Sequence, residues 1–120
     1  MTVSPRKQHD ERAGRQAETW AALFLRLKGY RILARRFKTP VGEIDLIARR
    51  GRLIAFIEVK KRFALDRALE SVSARGRQRI TRAAQWALSR HPEWHGAELR
   101  FDLVAIGRWG AIRHVRAAWE

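Results

Sequence analysis

Two carboxylates and one lysine lie inside apolar stretches of the sequence that have the character of β-strands. Asp45 lies in the stretch GEIDLIA, and Glu58 and Lys60 lie in the stretch FIEVKK. A charged group that is buried without a partner costs several kcal/mol or more. These three side chains must therefore either pair with other charges or meet at a site that uses them.

The period of two in a β-strand assigns these side chains to faces of a sheet. Glu58 and Lys60, two positions apart, share a face near the end of one strand. A tight turn around Gly51 joins that strand to the preceding one in an antiparallel hairpin. We therefore expect the hairpin to bring Asp45 to the same edge of the sheet as Glu58 and Lys60. Within the strand of Asp45, the alternation predicts that Ile44 shares a face with Leu46 and Ala48.

Carboxylate oxygens in such a cluster are the ligands that Mg²⁺ or Mn²⁺ prefers. The ion would lower the pKa of a bound water and neutralise charge in a phosphoryl transition state. Lys60 would orient that water or stabilise the phosphorane. The alternative is structural: Asp45 and Glu58 pair with lysine or arginine across the sheet. The spacing of an Asp, twelve residues and Glu-x-Lys does not separate the two.

The charge balance points to an anionic partner. The 120 residues include 26 Lys and Arg against 12 Asp and Glu, a net charge of +14, and no cysteine. Nucleic acid is the commonest partner of so basic a domain. An anionic membrane surface is the rival, but no apolar run approaches the roughly 20 residues of a membrane span. The lack of cysteine excludes disulfides, and a charged N-terminus without an apolar segment favours a cytoplasmic protein.

The hydrophobic pattern predicts a single α/β domain with a mixed five-stranded sheet flanked by helices. Residues 11–120 form this domain, and residues 1–10 form a flexible basic arm. The predicted elements are a helix at Glu11–Lys28, strands at Tyr30–Phe37, Glu43–Ala48 and Leu53–Lys61, a short helix or loop at Leu65–Ser73, a helix at Arg75–Ser89, and strands at Leu99–Ile106 and Ala111–Ala117.

The first helix is amphipathic and is predicted to end at Gly29 as its C-cap. Its apolar face is predicted to contain Ala13, Ala17, Trp20, Phe24 and Leu27, with Ala21, Leu23 and Leu25 beside it.

Several ordered motifs give the chain a family resemblance. The residues Gly42–Asp45 and Glu58–Lys60 resemble the PD-(D/E)xK nuclease signature. From about Arg12 to its C-terminus, the chain resembles the YraN family of small, largely uncharacterised proteins. The matching stretches are GRQAE at 14–18, GY at 29–30, GEIDLIA at 42–48, FIEVKKR at 56–62 and RFDLVAI at 100–106.

The resemblance implies a restriction-endonuclease-like fold, similar to that of archaeal Holliday-junction resolvases. It implies a metal-dependent phosphodiesterase acting on DNA, branched or otherwise structured. Asp45 and Glu58 match the metal ligands and, with the catalytic lysine Lys60, make up the catalytic set. The Val59 carbonyl matches a further ligand, and Glu18 matches the helical glutamate that completes such sites. The alternative for Glu18 is an acid favoured near a helix N-terminus by the helix dipole.

The chain departs from the family pattern at two positions. Ala17 stands where the family usually has glycine, and Gly76 stands where a later helix commonly carries a lysine. Arg75 or Arg77 would then replace that lysine as a phosphate contact. Glu43 also matches the family motif, but we rank it lower because we expect it to face away from Asp45.

Basic residues near the predicted site are candidates for contacts with a nucleic-acid backbone. The alternative for any one of them is a solvated basic surface. The candidates are Lys61, Arg62, Arg75, Arg77, Arg79 and Arg82.

Other conspicuous residues have structural interpretations. Asp102 lies two positions from Arg100 in a strand, which predicts a structural ion pair. The tryptophans are interpreted as core or edge residues rather than platforms for base stacking. Trp94, Trp109 and Trp119 lie near turns or the terminus, where contact with a second subunit is an alternative.

Three functions remain open at this point. The first is a divalent-metal-dependent endonuclease, for which a homodimer would suit two-fold symmetric substrates. The second is a non-catalytic nucleic-acid-binding module on a nuclease fold. The third is an accessory of a ribonucleoprotein held by charge alone. The intact set of Asp45, Glu58 and Lys60 favours the first over the second.

Overall fold

The computed structural model describes residues 5–61 and 72–119, and it describes side chains within residues 14–61 and 72–119. Residues 1–4, Arg62 and most of the predicted element Leu65–Ser73 lie outside the described residues. The observed elements are α1 at Pro5–Leu27, β1 at Arg31–Thr39, β2 at Gly42–Arg50, β3 at Leu53–Lys61, α2 at Ala74–Arg90, β4 at Glu98–Ile106 and β5 at Ile112–Trp119.

The element order confirms the predicted helix, three strands, helix and two strands. The helix α1 begins at Pro5, earlier than the predicted start at Glu11. Proline is favoured in the first helical turn, where its missing N–H is not needed and its fixed φ is already helical. Among the described residues, no helix is long and apolar enough to cross a membrane.

The five strands form one sheet in the order β1-β2-β3-β4-β5. The pairs β1–β2, β2–β3 and β4–β5 are antiparallel, whereas β3 and β4 are parallel. The parallel pair requires a crossover, and α2 lies within the chain that connects β3 to β4. The predicted mixed five-stranded sheet is therefore confirmed.

The two edge strands are both irregular. Arg36 in β1 and Ala117 in β5 have left-handed backbone conformations, each with φ of +51°. The register of β1 against β2 shifts between Ile32 and Ala34, and that of β4 against β5 shifts between Phe101 and Leu103. Both edges of the sheet therefore bend locally.

The helices cover opposite faces of the sheet. The helix α1 packs Ala21 and Leu25 against a cluster that includes Leu46 and Ile57. The helix α2 packs Ala83, Ala84 and Ala87 against a cluster that includes Ile47 and Phe56. Alternate residues of β2 and β3 thus supply two separate cores, which is why both strands are apolar on both faces.

The apolar face predicted for α1 is partly wrong. Trp20 and Leu27 are 44% and 81% exposed, whereas Ala21, Ala22 and Leu25 are fully buried. The small alanines allow the helix to approach the sheet closely. The helix is therefore rotated about its axis relative to the prediction, and this rotation leaves the larger side chains at the margin of the interface. The same rotation buries Glu18, which is 7% exposed.

Asp102 lies at the centre of a buried polar network, which confirms its structural ion pair. Both of its oxygens accept hydrogen bonds of 2.7 Å from the Arg100 guanidinium. His114 Nε2 lies 2.7 Å from Oδ2, and the N–H of Ala117 donates to Oδ1 at 3.1 Å. Burial raises the pKa of Asp102, but the hydrogen bonds from His114 and Arg100 outweigh it and hold the pKa below its usual range.

Replacing Asp102 should destabilise the protein strongly. The change Asp102→Ala leaves the Arg100 guanidinium, which is only 19% exposed, without its carboxylate. Breaking a buried pair in this way costs about 3–5 kcal/mol, measurable as a lowered midpoint in urea unfolding. The control Glu98→Ala removes an exposed acid from the same strand and should change stability by less than about 0.5 kcal/mol. Equal effects of the two changes would contradict the role of Asp102.

Candidate metal centre

The strands β2 and β3 separate beside Asp45. Their pairing runs from Arg50 and Leu53 up to Leu46 and Ile57. Beyond that pair, Asp45 Oδ2 accepts a hydrogen bond of 2.8 Å from the N–H of Val59. A side-chain carboxylate therefore takes the place of a backbone carbonyl, and the gap between the strands opens into a cleft.

The cleft brings the three predicted residues together. Asp45, Glu58 and Lys60 line it from the sheet, and Arg79 and Ile80 line it from α2. Its volume is about 360 Å³. Lys60 Nζ lies 3.3 Å from Glu58 Oε1, with side chains 28% and 16% exposed. The groups thus share a cleft that solvent reaches, rather than lying on opposite sides of the sheet.

Glu43 also belongs to this cleft, so the expectation that it faces away from Asp45 is wrong. The two residues are two positions apart, and the period of two in a strand places them on one face. The signal was therefore present in the sequence. The predicted face of Ile44 is wrong, because Ile44 packs with Ile47 on the α2 side rather than with Leu46. The alternation of faces along β2 is therefore interrupted between Ile44 and Ile47.

Glu18 reaches the same carboxylates from α1. One carboxylate oxygen each of Glu18, Glu43 and Asp45 lie within 4.8 Å of one another. Glu18 Oε2 is buried and has no hydrogen-bond partner among the described residues. Clustered carboxylates with an unsatisfied buried oxygen fit a hard divalent cation such as Mg²⁺ or Mn²⁺. Glu58 lies in the cleft but outside this tight group, and it pairs with Lys60.

Val59 takes part in the site through its backbone groups. Its N–H holds Asp45 in place. In a β-strand the N–H and C=O of one residue point to the same neighbouring strand. The Val59 carbonyl is therefore expected to face β2 and the carboxylates, as a further ligand would.

Arg36 is a participant that sequence reasoning missed. Its Nε lies 3.6 Å from Glu18 Oε2 and 3.6 Å from Glu43 Oε1. Its left-handed backbone, at φ +51°, costs about 1–2 kcal/mol for a residue with a Cβ. Arg36 thus supplies positive charge to an acidic cluster at some expense in backbone strain. Nothing in the stretch of basic residues at Arg35–Arg36 distinguishes this arginine from its neighbours.

The electrostatics of the cluster favour a cation. Burial raises the pKa of Asp45 to about 8, and Glu58, Glu18 and Glu43 add to this, while the Val59 N–H opposes it. Burial also raises the pKa of Glu18, and Arg36 partly offsets the effect. Like charges held together in a partly dry cleft resist full ionisation, and a bound cation would remove that resistance.

The predicted phosphate-binding residues do not form one surface. Arg79 lines the cleft, where it passes close to Gly42: a Cβ there would come within 2.6 Å of Arg79 Cγ. Arg77 instead donates to the Val72 carbonyl at 3.2 Å and lies over the Trp119 ring. It therefore does not replace the family lysine at the cleft.

The other candidates lie apart from the carboxylates. Arg82 lines a separate groove with Arg77, and Arg75 is exposed at the start of α2. Gly76, at the position of the family lysine, lines the cleft and donates its N–H to Ser73 Oγ, which caps α2. Lys61 lines a pocket on the α1 side of the sheet. Arg62 lies outside the described residues.

The fold and the cleft define the class of this protein. It is a single α/β domain compatible with a restriction-endonuclease-like fold, with a carboxylate cluster where two strands separate. The sequence model of the family described as "Uncharacterised protein family UPF0102" matches residues 17–106. The chain belongs to this family, which is the YraN family that its motifs resemble.

Several similar proteins carry the same family name. A UPF0102 protein of Paramagnetospirillum magneticum is 49% identical over 125 residues, covering 99% of this chain and 97% of that protein. A UPF0102 protein of Bradyrhizobium diazoefficiens is 51% identical over 118 residues, covering 98% and 89%. One from Chelativorans sp. is 55% identical over 105 residues, covering 86% and 85%. The similarity thus extends over 86–99% of this chain.

Removing the charge of Asp45 should stabilise the metal-free protein. Because folding raises the pKa of Asp45 from 3.8 to about 8, ionisation of Asp45 opposes folding above pH 4, increasingly so up to about pH 8. Asp45→Asn keeps an oxygen for the Val59 N–H and abolishes this effect. We expect a gain of at least about 1 kcal/mol at pH 8, or several degrees in Tm, measured by thermal unfolding in EDTA.

The gain from Asp45→Asn should shrink as the pH falls and should vanish well below pH 4, where Asp45 is neutral in both the folded and unfolded states. The control Glu98→Gln removes an exposed acid at the opposite end of the sheet, where Glu98 pairs with Leu53, and should show no such gain. If the variant were less stable than the wild type at pH 8, this would contradict the conclusion that ionisation of Asp45 opposes folding.

Proposed function

We propose that this protein is a divalent-metal-dependent endonuclease that hydrolyses phosphodiester bonds in DNA. The observation that carries the proposal is the group of carboxylates from Glu18, Glu43 and Asp45, with ligand atoms within 4.8 Å of one another. Glu58 and Lys60 line the cleft to which Glu43 and Asp45 belong. Glu18 Oε2 is buried and has no hydrogen-bond partner among the described residues, since Arg36 Nε approaches it only to 3.6 Å.

Asp45 and Glu18 would hold Mg²⁺ or Mn²⁺, with Glu43, Glu58 and the Val59 carbonyl as further donors. The ion would supply charge neutralisation at the scissile phosphate. Each of these ligands is positioned by the chain itself: Asp45 by the Val59 N–H and Glu18 by its burial beneath α1. Such preorganisation is what makes electrostatic catalysis effective.

Lys60 is the residue we assign to the reacting phosphate. Its ammonium lies 3.3 Å from Glu58 Oε1, and its side chain is 28% exposed. From there it would donate hydrogen bonds to the attacking water or to a phosphoryl oxygen as negative charge develops. Arg79, on the α2 wall of the same cleft, would contact a neighbouring phosphate.

The proposed partner is DNA, and the family resemblance favours branched or otherwise structured DNA. The net charge of +14 would attract any nucleic acid, so it supports binding without specifying the substrate. A two-fold symmetric junction would suit a homodimer. The proposal also implies a cytoplasmic location.

One observation favours a second candidate, a nucleic-acid-binding module that no longer cuts. Arg36 Nε already lies 3.6 Å from both Glu18 and Glu43. An arginine that remained there would neutralise the acids permanently and make a metal unnecessary. The two candidates therefore differ in whether a divalent cation binds at all.

Divalent cations should raise the thermal stability of the protein. A ligand that binds only the folded state at a hundred times its Kd stabilises by about 2.7 kcal/mol, so Tm in Mg²⁺ or Mn²⁺ should exceed Tm in EDTA by several degrees. Asp45→Asn should reduce this shift strongly, and Lys60→Gln should preserve it, because Lys60 is not a ligand. A wild-type Tm that neither metal changes would support the non-catalytic module.

Cleavage should require both the metal and the cleft. Supercoiled plasmid, linear duplex and a four-way junction are incubated with Mg²⁺, Mn²⁺ or EDTA, and products are separated on gels. We expect metal-dependent cleavage that falls by about 100-fold or more in Asp45→Ala, Glu58→Ala and Lys60→Gln. Glu98→Ala, outside the cleft, should cleave like the wild type.

Two results of this assay would overturn the proposal. Cleavage that survives unchanged in Asp45→Ala and Glu58→Ala would identify a contaminating nuclease. Metal-independent binding to DNA and RNA alike, without cleavage of any substrate, would favour a binding role.

A further inference from the structure

The turn between β4 and β5 presents an unusual tryptophan. Trp109 is 100% exposed, and its backbone is left-handed, with φ of +60°. Such a conformation is unfavourable for a bulky residue, and a wholly exposed indole forgoes the burial that a large aromatic side chain normally obtains. Strained positions of this kind are concentrated at binding sites.

A second tryptophan fixes the turn in place. Trp20 of α1 donates its Nε1–H to the Gly110 carbonyl at 2.9 Å. A Cβ on Gly110 would come within 3.2 Å of the Trp20 ring, and Gly110 itself is left-handed at φ +74°. Glycine is therefore required here, and the contact ties the turn to α1. The exposed Trp109 is thus carried on an anchored turn.

The two indoles line a pocket of about 580 Å³ between α1, the end of β3 and the turn. This volume is typical of sites for small molecules. Lys61 and Arg108 are among the lining residues, and none of the lining residues that the structure describes is acidic. Each of these two cations already has an interaction within the protein, so they contribute positive charge rather than free donors.

The pocket adjoins the candidate metal centre along two segments of chain. Ala17 lines the pocket, and the next residue, Glu18, belongs to the carboxylate cluster. Lys61 lines the pocket, and the preceding residue, Lys60, lines the cleft. Alternation along β3 directs these two lysines to opposite faces of the sheet. A strand of DNA that passes the C-terminal end of β3 would therefore meet both lysines.

We propose that this pocket binds an unpaired nucleobase of the DNA, stacked on Trp109 and Trp20, beside the phosphate at the metal centre. The choice of occupant follows from the combination of aromatic faces with positive charge and no described acid, which is how proteins bind single-stranded nucleic acid. The earlier interpretation of Trp109 as a core or edge residue is thereby replaced. The inference takes its substrate class, DNA, from the proposed function. It implies that the substrate must have unpaired bases next to the cleaved phosphodiester bond.

The test measures binding without cleavage. Fluorescence anisotropy of a labelled single-stranded oligothymidylate and of a blunt duplex is recorded in EDTA at physiological ionic strength. Trp109→Ala should weaken single-strand binding about tenfold or more, as expected for loss of one stacked base, and should change duplex binding less than twofold. Trp109→Phe should retain most of the affinity because it keeps an aromatic face.

Leu27→Ala is the matched control. Leu27 is 81% exposed on α1 and does not line this pocket, so its truncation should leave both affinities unchanged. Thermal unfolding of all variants checks that the fold is retained. A loss below twofold in Trp109→Ala would overturn the inference, as would equal losses for single strand and duplex. It would also be overturned by a wild-type dimer that Trp109→Ala dissociates in sedimentation, because a second copy would then occupy the pocket.

The same proteins separate this inference from the proposed function. Asp45→Asn should keep single-strand binding while it loses metal-dependent cleavage. Binding that depends on Trp109 in a protein that cleaves nothing would reject the nuclease and support the pocket. Metal-dependent cleavage with no effect of Trp109→Ala on single-strand binding would reject the pocket and support the nuclease.

Discussion

The hydrogen bond between Asp45 Oδ2 and the Val59 N–H is the interaction on which the candidate site depends. It ends the backbone pairing of β2 and β3 while keeping the two strands in a fixed relation. The carboxylate satisfies the Val59 N–H and contributes one oxygen to the cluster with Glu18 and Glu43. Both the cleft and the approach of Glu18 from α1 follow from that separation.

The energetics of the cluster explain its shape. Several acids are gathered where burial and mutual repulsion raise the pKa of Asp45, an arrangement that lowers stability unless positive charge is supplied. Arg36 supplies part of it, at 3.6 Å from two carboxylates, on a strained backbone. A separation of 3.6 Å is too long for a hydrogen bond, so this pairing leaves room for a better counter-ion. The molecule therefore tolerates local instability at one point of an otherwise well-packed sheet, as is usual where function sets the constraint.

The sequence contained much of the fold and part of the site. The bounds of β3 agree with the prediction, because an apolar run between clear turn signals leaves little choice. Asp45, Glu58 and Lys60 could be brought together from strand alternation and one hairpin. The grouping of Glu43 with Asp45 was available from the same alternation. The position of Arg36 could not be predicted from the sequence, because it depends on a left-handed backbone conformation in an edge strand that no residue type there indicates.

The failure at α1 has a different physical origin. Periodicity locates an apolar stripe but does not decide which side of it faces the sheet when alanines and large residues lie next to each other. Close packing favoured Ala21 and Ala22 over Trp20, and this rotation buried Glu18 and left Trp20 at the margin, against the turn. Both candidate sites thus depend on which side chains of α1 face the sheet. Side-chain volume decides this orientation, and hydrophobicity alone does not predict it.

The irregular edges of the sheet have a consequence for association. An open edge strand offers unpaired N–H and C=O groups to any other strand, and proteins protect such edges with bends and positive charge. Here each edge carries a left-handed residue, Arg36 or Ala117, and both edge strands are rich in arginine. Pairing between the edge strands of two copies is therefore disfavoured at both edges of the sheet, and so is aggregation through those edges.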